Sequence, residues 1–128
     1  MSLKEQLKVL VVDDTSVSRM LVIDALQTMG IRNISFAKDG LQAMNMMAAN
    51  PAHLVISDLN MPGLDGIGLL KGLREHRPTS RVGFILVTGV GDKATIDRAR
   101  KYGLNNYVAK PFTPQTLRTS IEAVVGRL

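Results

Sequence analysis

Apolar residues gather in five short runs, at 8 to 12, 33 to 37, 53 to 57, 82 to 87 and 105 to 109, rich in Val, Ile and Leu or alternating in polarity. Runs of this length, bounded by polar residues, predict strands. Between them the apolar spacing changes to three and four, the period of a helix face. Over Ser16 to Met29 the stripe is Leu21 and Ala25, then Val22, Leu26 and Met29, with Gly30 as C-terminal stop. Leu41, Ala43, Met44 and Met47 predict a second helix ending before Asn50-Pro51. Ile67, Leu69, Leu70 and Leu73 predict a third, stopped by Pro78. The fourth, about Asp92 to Tyr102, is apolar only at Ile96 and Ala99, and Gly103 follows it. The fifth carries Leu117, Ile121, Val124, Val125 and Leu128 inward as far as the last residue. The methionines fall mainly in these helices and are expected to fill the core.

Five alternations of strand and helix predict an α/β domain: a single five-stranded parallel sheet with five helices on both faces, joined by right-handed crossovers. With 128 residues the chain can bury one core and is short for two ordinary domains, so residues 1–128 are expected to form a single domain with no room for an output domain. In such a sheet, ligands bind at the carboxyl ends of the strands, where strand order reverses.

Four predicted strands end in polar residues: Asp13 and Asp14 after the first, Asp58 after the third, Thr88 after the fourth and Lys110 after the fifth. Each alone reads as a turn former, a helix cap or a solvated lysine. All five at one sheet edge would require five separate structural coincidences. Carboxylates at ~4 Å and an effective dielectric near 20 repel by about 4 kcal/mol per pair, so the cluster calls for a cation, a proton or a cationic side chain. A hard oxygen donor set suits Mg²⁺, and the main-chain carbonyl of Asn60 can add to it. Beside such an ion a carboxylate can attack phosphorus to form an acyl phosphate, with Lys110 and the Thr88 hydroxyl on the phosphoryl oxygens. His53 and His76 lie away from these strand ends, which argues against a histidine-type metal site, and the lack of cysteine excludes thiolate chemistry and disulfides. Pro62 and Gly66 fit a tight loop after Asp58, Asp65 is the expected N-cap of the third helix, and Lys110-Pro111 is a candidate cis bond.

Sixteen Lys and Arg against eleven Asp and Glu give a net charge of +5, spread along the chain. With few aromatic residues for stacking on bases, nucleic acid is not expected; the charge reads first as a solvated, mildly basic surface, and attraction to an acidic peptide or partner domain is the sharper alternative. Lys93, Arg98, Arg100 and Lys101 make the fourth helix the most basic. No secretion signal or membrane-length apolar run is present, so a cytoplasmic protein without membrane contact is expected.

Val11-Val12-Asp13-Asp14, Ser57-Asp58-Leu59-Asn60-Met61-Pro62 with Asp65-Gly66, Val87-Thr88 and Lys110-Pro111-Phe112 together resemble the receiver domain of two-component response regulators. The resemblance runs over essentially the whole chain and is strongest to the single-domain chemotaxis regulators. It implies a flavodoxin-like fold with strand order 2-1-3-4-5. It implies Asp58 as phosphoacceptor, with Mg²⁺ held by Asp13, Asp58 and the Asn60 carbonyl and by Asp14 directly or through water. Lys110 and Thr88 would contact the phosphoryl group, approached past the small Gly89. Thr88 and Tyr107 would form a switch that reshapes an output face of the fourth helix, fifth strand and fifth helix, including Ile96, Arg100, Leu104 and Tyr107. The implied partners of this monomer are a chemotaxis-type histidine kinase, a flagellar switch protein and a phosphatase. Val90 departs from the enteric pattern, which carries an acidic side chain there, so water access to the acyl phosphate should differ. Two other readings stay open: a phosphate sink for a shared kinase, and a Mg²⁺-dependent phosphohydrolase. The latter is disfavoured because its usual Asp-x-Asp is replaced here by adjacent acids.

Overall fold

The computed structural model describes residues 2–89 and 93–128. Five strands, β1 (Lys8–Val12), β2 (Asn33–Ala37), β3 (Leu54–Asp58), β4 (Gly83–Thr88) and β5 (Asn106–Ala109), pair in parallel in the order β2-β1-β3-β4-β5. This is the expected sheet. The helices are α1 (Leu3–Gln6), α2 (Ser16–Thr28), α3 (Gly40–Ala49), α4 (Gly66–Glu75), α5 (Lys93–Arg100) and α6 (Pro114–Val125), with a 3₁₀ turn at Arg77–Thr79.

The two-residue period of the strands divides the core. Leu10, Val12, Val55, Phe84 and Leu86 point to one face, where Ala43 and Met47 of α3, Leu69, Leu70 and Leu73 of α4, and Ile96 and Ala99 of α5 cover them. Val9, Val11, Leu54, Ile56, Ile85 and Val87 point to the other, beneath Val22, Ala25 and Leu26 of α2 and Leu117 and Ile121 of α6. The central strands β1, β3 and β4 are buried on both sides, hence their unbroken apolar runs, whereas β2 and β5 form the edges.

The structure departs from expectation in places that have local causes. Among the described residues there are six helices, not five: α1 is a single turn with no apolar period, and the buried Leu7 after it anchors the segment to the core. Strands β3, β4 and β5 each begin one residue later than expected. His53 and Asn105 serve there as side-chain acceptors, His53 Nδ1 for the Lys8 N–H and Asn105 Oδ1 for the Phe84 N–H. Leu21 and Leu41 are exposed, at 58% and 66%, on the outward sides of α2 and α3. Pro78 sits inside the 3₁₀ turn that follows α4. Helix α6 stops at Val125 because Gly126 takes φ of 98°. Leu128 therefore lies past the helix, yet it packs on the core and its N–H donates to Glu122 Oε2. The expected start of the fourth helix at Asp92, and Val90, lie outside the described residues.

Candidate functional site

Pairing of β1 with β3 sets Val12 opposite Ser57, so the residues that follow, Asp13 and Asp58, emerge side by side. Asp14 completes the group: one carboxylate oxygen from each of Asp13, Asp14 and Asp58 lies within 4.8 Å of the others. The three differ in environment. Asp13 is 3% exposed, Asp58 half-buried and Asp14 exposed.

Asp13 is tied on every side. Its Oδ1 accepts from the Thr15 N–H and the Thr15 hydroxyl, both at 3.0 Å. Its own N–H donates to the Ala37 carbonyl of β2 at 3.1 Å, and its carbonyl accepts from Arg19 Nη1 at 2.9 Å. Arg19 in turn lies over the Phe36 ring, 4.8 Å from its centre. Asp58 is held more lightly. Its Oδ1 accepts from the Leu59 N–H at 2.9 Å and from Lys110 Nζ at 3.2 Å. Burial pushes the Asp58 carboxyl above the ordinary aspartate range; Lys110, by hydrogen bond and charge, draws it back, Asp13 adds to the rise, and the Leu59 N–H opposes it.

Lys110 reaches the site because β5 ends beside β4. Thr88 pairs with Ala109, and the Lys110 N–H donates to the Thr88 carbonyl at 2.7 Å, ahead of a cis Lys110-Pro111 bond. Thr88 is buried at the strand end; Gly89 is exposed, and a Cβ there would meet nothing within 4 Å. The loop after Asp58 is pinned by the Leu59 N–H to Val87 O and by the Gly66 N–H to Leu59 O. Asp65 caps α4 as expected, accepting from the Gly68 N–H at 2.7 Å, while Asn60 is exposed in the loop between. Tyr107 stands outward on the edge strand, 37% exposed. Of the expected output face, Arg100 is exposed and Leu104 half-buried; Ile96 differs, since helix periodicity turns it into the core beside Ala99.

Two residues of this neighbourhood escape a reading of the sequence, and a third is visible there only as a loop former. Thr15 and Arg19 fix Asp13, and their signal is a hydroxyl and a cation at the start of the helix that follows the paired acids. Gly66 is the third: a Cβ there would lie 2.5 Å from the Asp58 carbonyl oxygen and 2.8 Å from Leu86 Cδ1. Its absence of a side chain lets α4 start directly behind Asp58.

Residues 9–122 match the family model described as response regulator receiver domain. The chain is 48% identical over 128 residues, all of this chain and 99% of the relative, to a probable chemotaxis protein CheY of Rhizobium etli. It is 37% identical over 121 residues to chemotaxis protein CheY1 of Helicobacter pylori, covering 94% of this chain and 98% of that one. Among solved structures, Vibrio cholerae CheY4 superposes with a TM-score of 0.87 at 28% identity, over 93% of this chain and 98% of that one. The receiver domain of the sensor histidine kinase PA1611 of Pseudomonas aeruginosa, with a magnesium ion coordinated in its active site cleft, superposes with a TM-score of 0.85 at 25% identity, over 94% and 98%. The motif spacing, sheet order and acidic cluster agree with these matches: the chain belongs to the response regulator receiver family of two-component systems, as a CheY-like member consistent with chemotaxis signalling.

Proposed function

We propose that Asp58 accepts a phosphoryl group from the phosphohistidine of a chemotaxis-type kinase and that the phosphorylated chain binds a target, a flagellar switch protein, through the face of α5, β5 and α6. The observation that carries this reading is the convergence of three carboxylates with Lys110 on Asp58. Asp13, Asp14, Asp58 and the Asn60 main-chain carbonyl would hold Mg²⁺; their all-oxygen donor chemistry suits that ion, as does the magnesium in the cleft of a structural neighbour. Bound there, the ion would neutralise the clustered charge and draw electron density from the phosphoryl oxygens.

The chain's own residues do the rest. An Asp58 oxygen attacks phosphorus, the P–N bond to the histidine breaks, and the imidazole leaves with that electron pair and takes up a proton. Lys110, already on Asp58, shifts to the phosphoryl oxygens and supplies the cationic contact the transferring group needs. Thr88, buried at the neighbouring strand end and followed by the open space at Gly89, would donate its hydroxyl to the same group. Phosphorylation adds about −1.5 to −2 charges and three acceptor oxygens, enough to bias Thr88 and Tyr107 between two arrangements. Exposed Val17, Met20 and Leu21 on α2, close to the site, offer the donor an apolar landing strip.

In this reading the receiver acts as a monomer in the cytoplasm and passes the signal through its own α5, β5 and α6 face, in keeping with its 48% identity to a probable chemotaxis protein CheY. Among the described residues no helix is long and apolar enough to cross a membrane.

The test is intact mass after incubation with Mg²⁺ and acetyl phosphate. Wild type is expected to gain one phosphoryl group, dependent on Mg²⁺, and Asp58→Asn none. A gain that survives in the variant would overturn the assignment. Retention on immobilised switch protein only with an acyl-phosphate mimic would support the motor target; no retention in either state would favour a phosphate sink.

A further inference from the structure

Four contacts from three directions converge on Asp13, and one of them comes from the side chain of Arg19 on the neighbouring helix α2. Thr15 occupies one carboxylate oxygen, the β2 edge takes the N–H, and Arg19 takes the main-chain carbonyl at 2.9 Å. Arg19 starts on α2 and reaches back across the turn. Its guanidinium is planar and carries donors in a fixed fork, so a hydrogen bond from it fixes direction as well as distance. That group lies over the ring of Phe36, in β2, next to the Ala37 whose carbonyl receives the Asp13 N–H. The first turn of α2, the end of β1 and the edge of β2 are thus clamped together at residue 13.

We propose that Arg19 is a positioning residue for the Asp13 carboxylate, acting through a guanidinium braced on Phe36; this deepens the reading of the acidic cluster as a Mg²⁺ site and rests on it. Two physical effects of Arg19 oppose one another. As a bare positive charge near the cluster it repels a dication, and its removal would tighten Mg²⁺. As a brace it holds the most buried of the three carboxylates in place, and its removal loosens Mg²⁺. The geometry favours the brace: the guanidinium is directed to a main-chain carbonyl and set over an aromatic ring, and among the described residues it forms no ion pair with Asp13, Asp14 or Asp58.

The two effects separate in variants that keep the charge. Isothermal titration of the metal-free protein with Mg²⁺ alone is the primary readout, for wild type, Arg19→Ala, Arg19→Lys and Phe36→Leu. Loss of an outer partner of a metal ligand weakens metal binding by about tenfold at the low end of the usual range, and that is the expectation for Arg19→Lys and Arg19→Ala. Phe36→Leu removes only the brace and is expected to weaken Mg²⁺ by about threefold. The rate of phosphorylation by acetyl phosphate should need correspondingly more Mg²⁺ to reach half its maximum, while the maximum stays within about twofold, a split that general destabilisation would not produce. Tighter Mg²⁺ binding in Arg19→Ala, with Arg19→Lys and Phe36→Leu at the wild-type value, would show that Arg19 acts only as a charge and would overturn the inference. Absence of Mg²⁺ binding in wild type would instead overturn the metal reading itself, and the inference with it.

Discussion

The two ends of the sheet are built on opposite principles. At the carboxyl ends of the strands three acids crowd together, and among the described residues Lys110 alone makes an ion pair with one of them. At the opposite end, Arg74 of α4 lies across the chain connections before β4 and β5 and spends its donors on neutral acceptors. Nη1 bonds Val82 O at 2.7 Å and Ser80 O at 3.2 Å; Nη2 bonds Gly103 O and Asn105 Oδ1, both at 2.9 Å. Asn105 Oδ1 also accepts from the Phe84 N–H, so the network runs into the first bond of β4. Burial pushes the guanidinium below its ordinary value, and its bonded partners among the described residues are all uncharged. One end sets its charge against neutral acceptors; the other gathers like charges, which the proposed Mg²⁺ would offset. On the proposed function, stability would reside at the first and responsiveness at the second.

The largest test of this contrast is Arg74→Ala. Four acceptors would lose a charged donor at a half-buried position, and urea denaturation is expected to show a loss of about 3 kcal/mol. Acetyl phosphate labelling of Asp58, measured where the variant remains folded, should stay near wild type. Loss of labelling in proportion to stability would mean that the two ends are not separate. Next is Gly66→Ala, whose Cβ would press on the Asp58 carbonyl oxygen and Leu86. Overpacking here should cost about 2 kcal/mol and, unlike Arg74→Ala, slow labelling as well, since the displaced backbone carries the proposed acceptor. A destabilised Gly66→Ala that labels at the wild-type rate would separate loop packing from chemistry.

How much of this was legible in the sequence follows the same division. The five strand runs and the acid, threonine and lysine positions were readable because strand periodicity and strand ends are local properties. Asp65 was readable as a cap for the same reason. Arg74 was not: its acceptors lie at 80, 82, 103 and 105, and no local pattern joins them. Gly66 was visible as part of a loop, but its reason, contact with the Asp58 carbonyl and with Leu86 of β4, exists only once α4 packs against the sheet. Ile96 was read both as an apolar position of its helix and as part of the output face; the structure buries it beside Ala99, a choice that the rotation of α5 makes and the local sequence does not. The short α1 had no periodicity to detect.

Smaller effects concern the acidic end alone. If the cluster takes Mg²⁺, the ion binds the folded chain preferentially, and at ten times its dissociation constant it should raise stability by RT ln 11, about 1.4 kcal/mol. Asp58→Asn and Asp13→Asn should lose most of that gain, whereas Arg74→Lys, at the other end, should keep it. Equal Mg²⁺ stabilisation in all variants would point to a weak surface effect rather than this site.

The smallest effect is the dependence on pH in the absence of metal. The carboxyl of Asp58 is raised in the folded chain, chiefly by burial, so folding favours its protonated form. Its contribution to stability is therefore fully present at low pH, below the unfolded-state value, and is lost as pH rises through the folded-state value. Asp58→Asn has no proton to lose there. In chelator-treated samples the variant should gain on wild type as pH rises above the acid range, and the difference should level off towards neutrality. Lys110 works against the rise by hydrogen bond and charge, so introducing Lys110→Met should widen the stability gap between chains with and without Asp58→Asn at neutral pH. A gap that narrows in the Lys110→Met background would mean that the lysine disfavours the charged carboxylate, and would reverse the electrostatic contrast between the two ends.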